Sequence, residues 1–79
     1  MLNILKKKTF EKVGFKIKNL GSAIQLSNII LEEKDEFISY NTIRRLYKIV
    51  KTNENPSKKT LDIISRFNGY NDYNHFIKT

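Results

Sequence analysis

Apolar residues recur along this chain at helical spacing, and polar capping residues divide them into short segments. In 39–51, Ile43, Leu46, Tyr47 and Val50 fall at i, i+3, i+4 and i+7, one face of a helix. Ser39 precedes that face as an N-cap, since its hydroxyl can accept a bond from an unpaired N–H of the first turn. Ile38 before the cap and Ile43 after it can close a hydrophobic staple. The opposite face gathers Tyr40, Asn41, Arg44, Lys48 and Lys51, with Arg45 at its edge.

The same reading predicts further helices on either side. Thr9 is expected to cap a helix over 10–19, with Phe10, Val13 and Ile17 as its stripe. Gly14 would then lie inside that helix, and Gly21 would close it. Residues 1–8, ending in Lys6-Lys7-Lys8, become a basic arm, read either as a solvated terminus or as a reach toward a phosphate backbone or minor groove. The expected division is this arm and a helical domain over 9–79. Ser22 is expected to open a second helix running to Lys34, with Gln25 completing a capping box. Ala23, Leu26 and Ile30 share its face, with Ile29 alongside. After a polar connector over 52–56, Ser57 (or Asn55) caps a helix over 58–68 carrying Leu61, Ile63, Ile64 and Phe67 and ended by Gly69. Asn71 or Asp72 caps a last helix over 72–78, with Tyr73, Phe76 and Ile77 turned inward. No sustained period-two alternation competes. The fold class is therefore all-α, a bundle of four or five short helices, with Leu46, Leu61, Ile64 and Phe67 in the core.

Size and charge narrow the function. At 79 residues the chain is one domain with a small core, burying roughly 60–65% of its unfolded surface. It has no cysteine and one histidine, which excludes disulfides and a cysteine-based metal site. His75 alone reads as a surface or partly packed residue, so no metal or cofactor is expected. Fifteen Lys and Arg against eight Asp and Glu give +7, which favours a polyanionic partner, nucleic acid before anionic membrane. Residues 32–36 hold four acids and one lysine, so the remaining 74 residues carry +10. Those acids oppose the dipole at a helix C-terminus; they read as a solvated end, or else as partners for Arg44 or Arg45. The start of the chain is not a signal peptide, because its lysines follow its few apolar residues. No apolar run approaches the roughly 20 residues of a membrane span, so no membrane partner and a cytoplasmic location are expected. No Cys-His or Ser-His-Asp arrangement and no P-loop is present, and no enzyme is expected.

Leu26-Ser27, the run from Ser39 to Leu46, Pro56-Ser57 with Thr60-Leu61-Asp62, and Gly69-Tyr70 together resemble the helix-turn-helix domains of the lambda-repressor-like class. The stretch 38–76 is also similar to a small N-terminal module of bacterial proteins, in which a Ser-x-x-Thr-x-Arg-Arg helix precedes Pro-Ser-x-x-Thr-Leu-Asp and Gly-Tyr. The resemblance implies that the second helix supports the third and that the third enters the major groove of DNA. One feature departs from the class: 31–39 is longer than the usual three- or four-residue turn and contains no Gly.

On this reading Asn41, Arg44 and Lys48 are candidates for base edges, with Arg45 beside them. Ser39, Tyr40, Lys58 and Lys59 are candidates for phosphates. The expected function is double-stranded DNA binding, as a transcriptional regulator or as the N-terminal recognition module of a longer protein with a C-terminal effector domain. The alternative is a helical protein-interaction or dimerisation module, with Tyr40, Tyr70 and Tyr73 forming an apolar patch for a second copy. Far-ultraviolet circular dichroism should be dominated by helix; a strand-dominated spectrum would remove the fold class and every role assigned to 39–51.

Overall fold

The computed structural model describes residues 1–53 and 55–79; Glu54, part of the expected connector, lies outside them. Five helices follow in order: α1 (Leu2–Val13), α2 (Leu20–Lys34), α3 (Tyr40–Leu46), α4 (Lys58–Phe67) and α5 (Tyr73–Lys78). There is no strand among the described residues, and the all-α architecture holds.

The first helix begins eight residues earlier than expected. Leu2, Leu5, Thr9 and Val13 face the core, and Leu5 and Thr9 are fully buried. Thr9 is therefore not a cap. Its hydroxyl donates to the Leu5 carbonyl at 2.9 Å, one turn back, so a polar side chain can be buried inside a helix. The basic arm over 1–8 is not an arm but the first turns of α1. Lys7 and Lys8 point to solvent from it, Lys6 is half-buried, and Phe10, expected in the stripe, is exposed. Gly14 closes the helix with φ +83°, a conformation open to glycine because it lacks a Cβ, and its N–H bonds the Phe10 carbonyl. Gly21, expected to do this, sits inside the first turn of α2.

The second helix starts at Leu20 because Asn19 caps it. The Asn19 side chain accepts from the Ser22 N–H at 2.9 Å, and Ser22 Oγ accepts in return from the Asn19 N–H at 3.0 Å. Ser22 is thus the third helical residue and not the cap, and Gln25 takes no part. The helix does run to Lys34, and Asp35 closes it at φ +53°. Extension of α2 absorbs most of the long interval before α3, leaving a turn over 35–39.

The third helix begins where expected, with Ser39 Oγ accepting from the Thr42 N–H at 3.1 Å. It ends after only 7 residues, at Leu46. Lys48 takes φ +56°, and its N–H bonds the Arg45 carbonyl while the Ile49 N–H reaches back to Arg44 O at 2.8 Å. This turn brings Ile49 against the core, where a continued helix would carry it off the stripe of Ile43, Leu46 and Tyr47. Lys48 and Lys51 therefore do not extend the polar face of α3.

Ser57 caps α4 and Asp72 caps α5. Gly69 at φ +96° ends the α4 turn as expected. Thr60, Ile63, Ile64 and Phe67 form the buried stripe of α4; Leu61 is only half-buried, a correction to the expected core. Ile77 on α5 is exposed, and Phe76 alone is driven deep. The α2 and α3 helices pack on each other, and α4 receives α1, α2 and α5. Ile17 and Ile38 fill the gaps from the connectors.

Leu46→Ala should cost about 2–4 kcal/mol in urea denaturation, a large share of the stability of so small a domain. Leu61→Ala should cost clearly less. Lys48→Gly should stabilise by about 1 kcal/mol, because Lys48 holds a left-handed conformation that a Cβ disfavours. A loss on Lys48→Gly would mean that the lysine side chain compensates for that conformation.

Candidate nucleic-acid interface

The surface that α3 presents is set by how its turn is anchored. Ser27 Oγ of α2 donates to the Ile38 carbonyl at 2.6 Å. Arg66 of α4 grips Glu36 with two parallel bonds, Nε to Oε1 at 2.9 Å and Nη2 to Oε2 at 2.6 Å. Such a charge-assisted fork fixes direction as well as distance. Ile38 and Ile43 are both buried, one on each side of the Ser39 cap. The start of α3 is thereby tied to α2 and α4 at once.

From this base the exposed side of α3 carries Tyr40, Asn41 and Arg45, with Arg44 half-buried between them. Arg44 Nη1 donates to Asn41 Oδ1 at 3.1 Å, which orients both side chains along the helix. Arg44 Nε is buried and has no hydrogen-bond partner among the described residues. Arg45 Nη2 donates to Thr42 Oγ1 at 3.3 Å, on the side that faces α4. Ser39 spends its hydroxyl on the cap and on Thr42 Oγ1, 2.9 Å away, so its side chain is committed within the helix start.

The N-terminus of α4 lies beside that of α3. Between them is a shallow cleft of about 150 Å³ lined by Thr42, Arg45, Asn55, Pro56, Ser57 and Thr60. Of the two lysines expected there, Lys59 is exposed and free of ion pairs among the described residues. Lys58 is paired with Asp62 at 2.9 Å. The N–H of Tyr73 and the Lys58 ammonium hold the Asp62 carboxyl below the usual carboxylate range. Lys58 is therefore partly neutralised where Lys59 is not.

Lys48 is separated from Arg44 by the turn that ends α3, and it faces a different neighbour. Lys6 of α1 stands over the Tyr47 ring, 5.3 Å from its centroid. Burial, and secondarily the charge of Lys48, push the Lys6 ammonium down from its ordinary value. The sequence reading placed Lys6 in a free arm. The signal that would have found it is the spacing of Leu2, Leu5 and Thr9. Tyr47 is itself largely buried, and burial pushes its hydroxyl up to about 12, offset only in part by the nearby Thr9 hydroxyl. Thr9 bonds Leu5 and Asn68 instead, leaving the Tyr47 hydroxyl without a hydrogen bond of normal geometry among the described residues.

The acids sit elsewhere. Glu33 pairs with Lys12 at 3.0 Å and Glu36 with Arg66; neither meets Arg44 or Arg45. Residues 37–53 contain Arg44, Arg45, Lys48 and Lys51 and no acid. Tyr70 and Tyr73 are half-buried against Phe76, with ring centroids 5.0 and 6.0 Å from it, while Tyr40 is exposed on α3. His75 is exposed, and its Nδ1 accepts from the Asn71 N–H at 2.9 Å, a local turn contact. No cluster of metal-ligating side chains occurs, and no helix is long and apolar enough to cross a membrane, among the described residues. Comparison with known protein families, with curated proteins and with solved structures found no match.

Glu36 is held below its ordinary value, first by its hydrogen bonds to Arg66 and also by the charge of that arginine. A depressed carboxyl contributes stability above its unfolded-state value and loses it as pH falls through the folded value. Thermal stability should therefore decline on acidification through and below the ordinary carboxylate range. Glu36→Gln should lower stability at neutral pH and flatten that acid limb; an unchanged limb would show that the pair is stabilising nothing.

Proposed function

We propose that this chain binds double-stranded DNA through the exposed face of α3, flanked by Lys59 and the N-terminus of α4. The observation that carries this is the sorting of charge. Glu33, Glu36 and Asp62 are each taken up by a cation of α1 or α4, whereas α3 carries Tyr40, Asn41, Arg44 and Arg45 within a stretch, 37–53, that holds no acid. Unopposed cations on one helical face suit a polyanion, and an Asn and an Arg oriented along that face suit base edges. Arg44 and Asn41 are the proposed readers, and Arg45 and Lys59 the proposed phosphate contacts. Ser39 acts by positioning the helix. Lys48 lies past the helix end and joins Lys6 in a second basic spot toward α1. A role as a transcriptional regulator, or as the recognition module of a longer chain, is the biological setting that fits such a domain.

A protein-interaction or dimerisation module is the second reading. It is favoured by Leu20, Ile24 and Leu31, which α2 leaves exposed on one side. Sedimentation over a range of concentrations tests it directly.

For DNA, log affinity should fall linearly with log salt, at a slope of roughly −0.9 per contacted phosphate. Lys59→Ala should flatten that slope by about one unit. Lys58→Ala should change it less, because Asp62 already opposes that charge. Arg44→Ala should cost roughly 1–3 kcal/mol more on a preferred site than on random duplex. Equal affinity for duplex DNA and for an acidic polypeptide of matched charge density would reduce α3 to an electrostatic patch.

A further inference from the structure

Phe37 is the most exposed large apolar side chain among the described residues, at 64%. Its backbone has no freedom to match that exposure. Glu36 on one side is clamped by Arg66, and Ile38 on the other is buried with its carbonyl bonded to Ser27. A phenyl ring is thus held out into water by a turn fixed to two helices. Burying an apolar group of this size is ordinarily worth about 1.5–3 kcal/mol, which is available to a partner that covers it.

Its surroundings define that occupant. Phe37 borders a second shallow cleft, of about 220 Å³, shared with Ser39, Thr42, Lys59, Thr60 and Ile63. Among the described residues, Lys59 is the only charged one that lines it. The ring stands two residues before the Ser39 cap, at the end of α3 where recognition helices bring their first residues to base edges. An apolar ring with a cation beside it fits an apolar group that lies close to a phosphate. Duplex DNA offers one such group in its major groove, the C5-methyl of thymine.

We infer that Phe37 is a specificity-determining residue that packs against a thymine methyl group while Lys59 neutralises an adjacent phosphate. This rests on the DNA-binding reading above and adds to it a preference for thymine at the N-terminal end of α3. No hydrogen bond of Phe37 is involved, so the preference depends on the methyl group and not on the thymine carbonyls.

The test uses two duplexes of equal length, alternating dA·dT and alternating dA·dU, which differ only in that methyl group. Fluorescence anisotropy at one salt concentration should give the wild-type chain about fourfold tighter binding to the thymine duplex, the worth of one buried methyl group. Phe37→Ala should bind both duplexes alike, and Phe37→Leu should keep part of the preference. Because Phe37 is exposed, both variants should keep the wild-type circular dichroism. Salt-dependent binding of the wild type with equal affinity for both duplexes would overturn the role of Phe37 and leave the DNA reading standing. A preference that survives in Phe37→Ala would overturn it as well, assigning the methyl group to another residue. Failure of either duplex to bind at any salt would remove the DNA reading, and the thymine contact with it.

Discussion

The fold depends on the burial of Phe67. Its ring is fully enclosed at the centre of the domain, on the helix that receives α1, α2 and α5. Lys12 of α1 lies over that ring, 4.4 Å from the centroid, and its ammonium donates to the Phe67 carbonyl at 2.7 Å. The same ammonium pairs with Glu33 of α2. One buried ring and one cation thus join three helices. The carbonyl concerned belongs to the last turn of α4, where the backbone lacks a helical partner and a cation is favoured. Short helices need such junctions. At 7 and 6 residues, α3 and α5 are below the length at which a helix is stable alone, and their order comes from the surface they cover.

The same junctions sort the charge. Lys12, Lys58 and Arg66 are consumed in holding Glu33, Asp62 and Glu36; the Glu33 and Glu36 pairs tie separate elements together, while Lys58–Asp62 lies within α4. Exposed ion pairs of this kind contribute little stability one by one. Their larger effect here is geometric. The Glu36–Arg66 fork sets the turn before α3.

Much of this was legible from local chemistry. Ser39, Ser57, Asp72 and Gly69 sit at the helix boundaries expected of them, because a cap satisfies backbone groups within three or four residues and needs no distant partner. The exposed position of Tyr40, Asn41 and Arg45 follows from the same local periodicity. The failures have a different origin. Thr9 can cap a helix or bond one turn back inside one, and only the presence of Asn68 and Phe67 across α1 decides for the second. Gly14 and Gly21 can each end a helix; the competition went to Gly14 because Asn19 was available to restart the chain.

By itself, then, the sequence determined that the chain is helical, where α3, α4 and α5 begin, and which side of α3 is cationic. Each of these is a matter of spacing within a few residues. Tertiary structure alone decided that α1 begins at Leu2 with Leu5 buried, that α3 stops at Leu46, and that Phe37 is held outward. In each case the outcome depends on a partner far away in sequence: Asn68 for Thr9, the core for Ile49, Arg66 for the turn that carries Phe37. Two adjacent apolar residues, Phe37 and Ile38, precede the same cap, and the pocket left by α2 and α3 admits only the second.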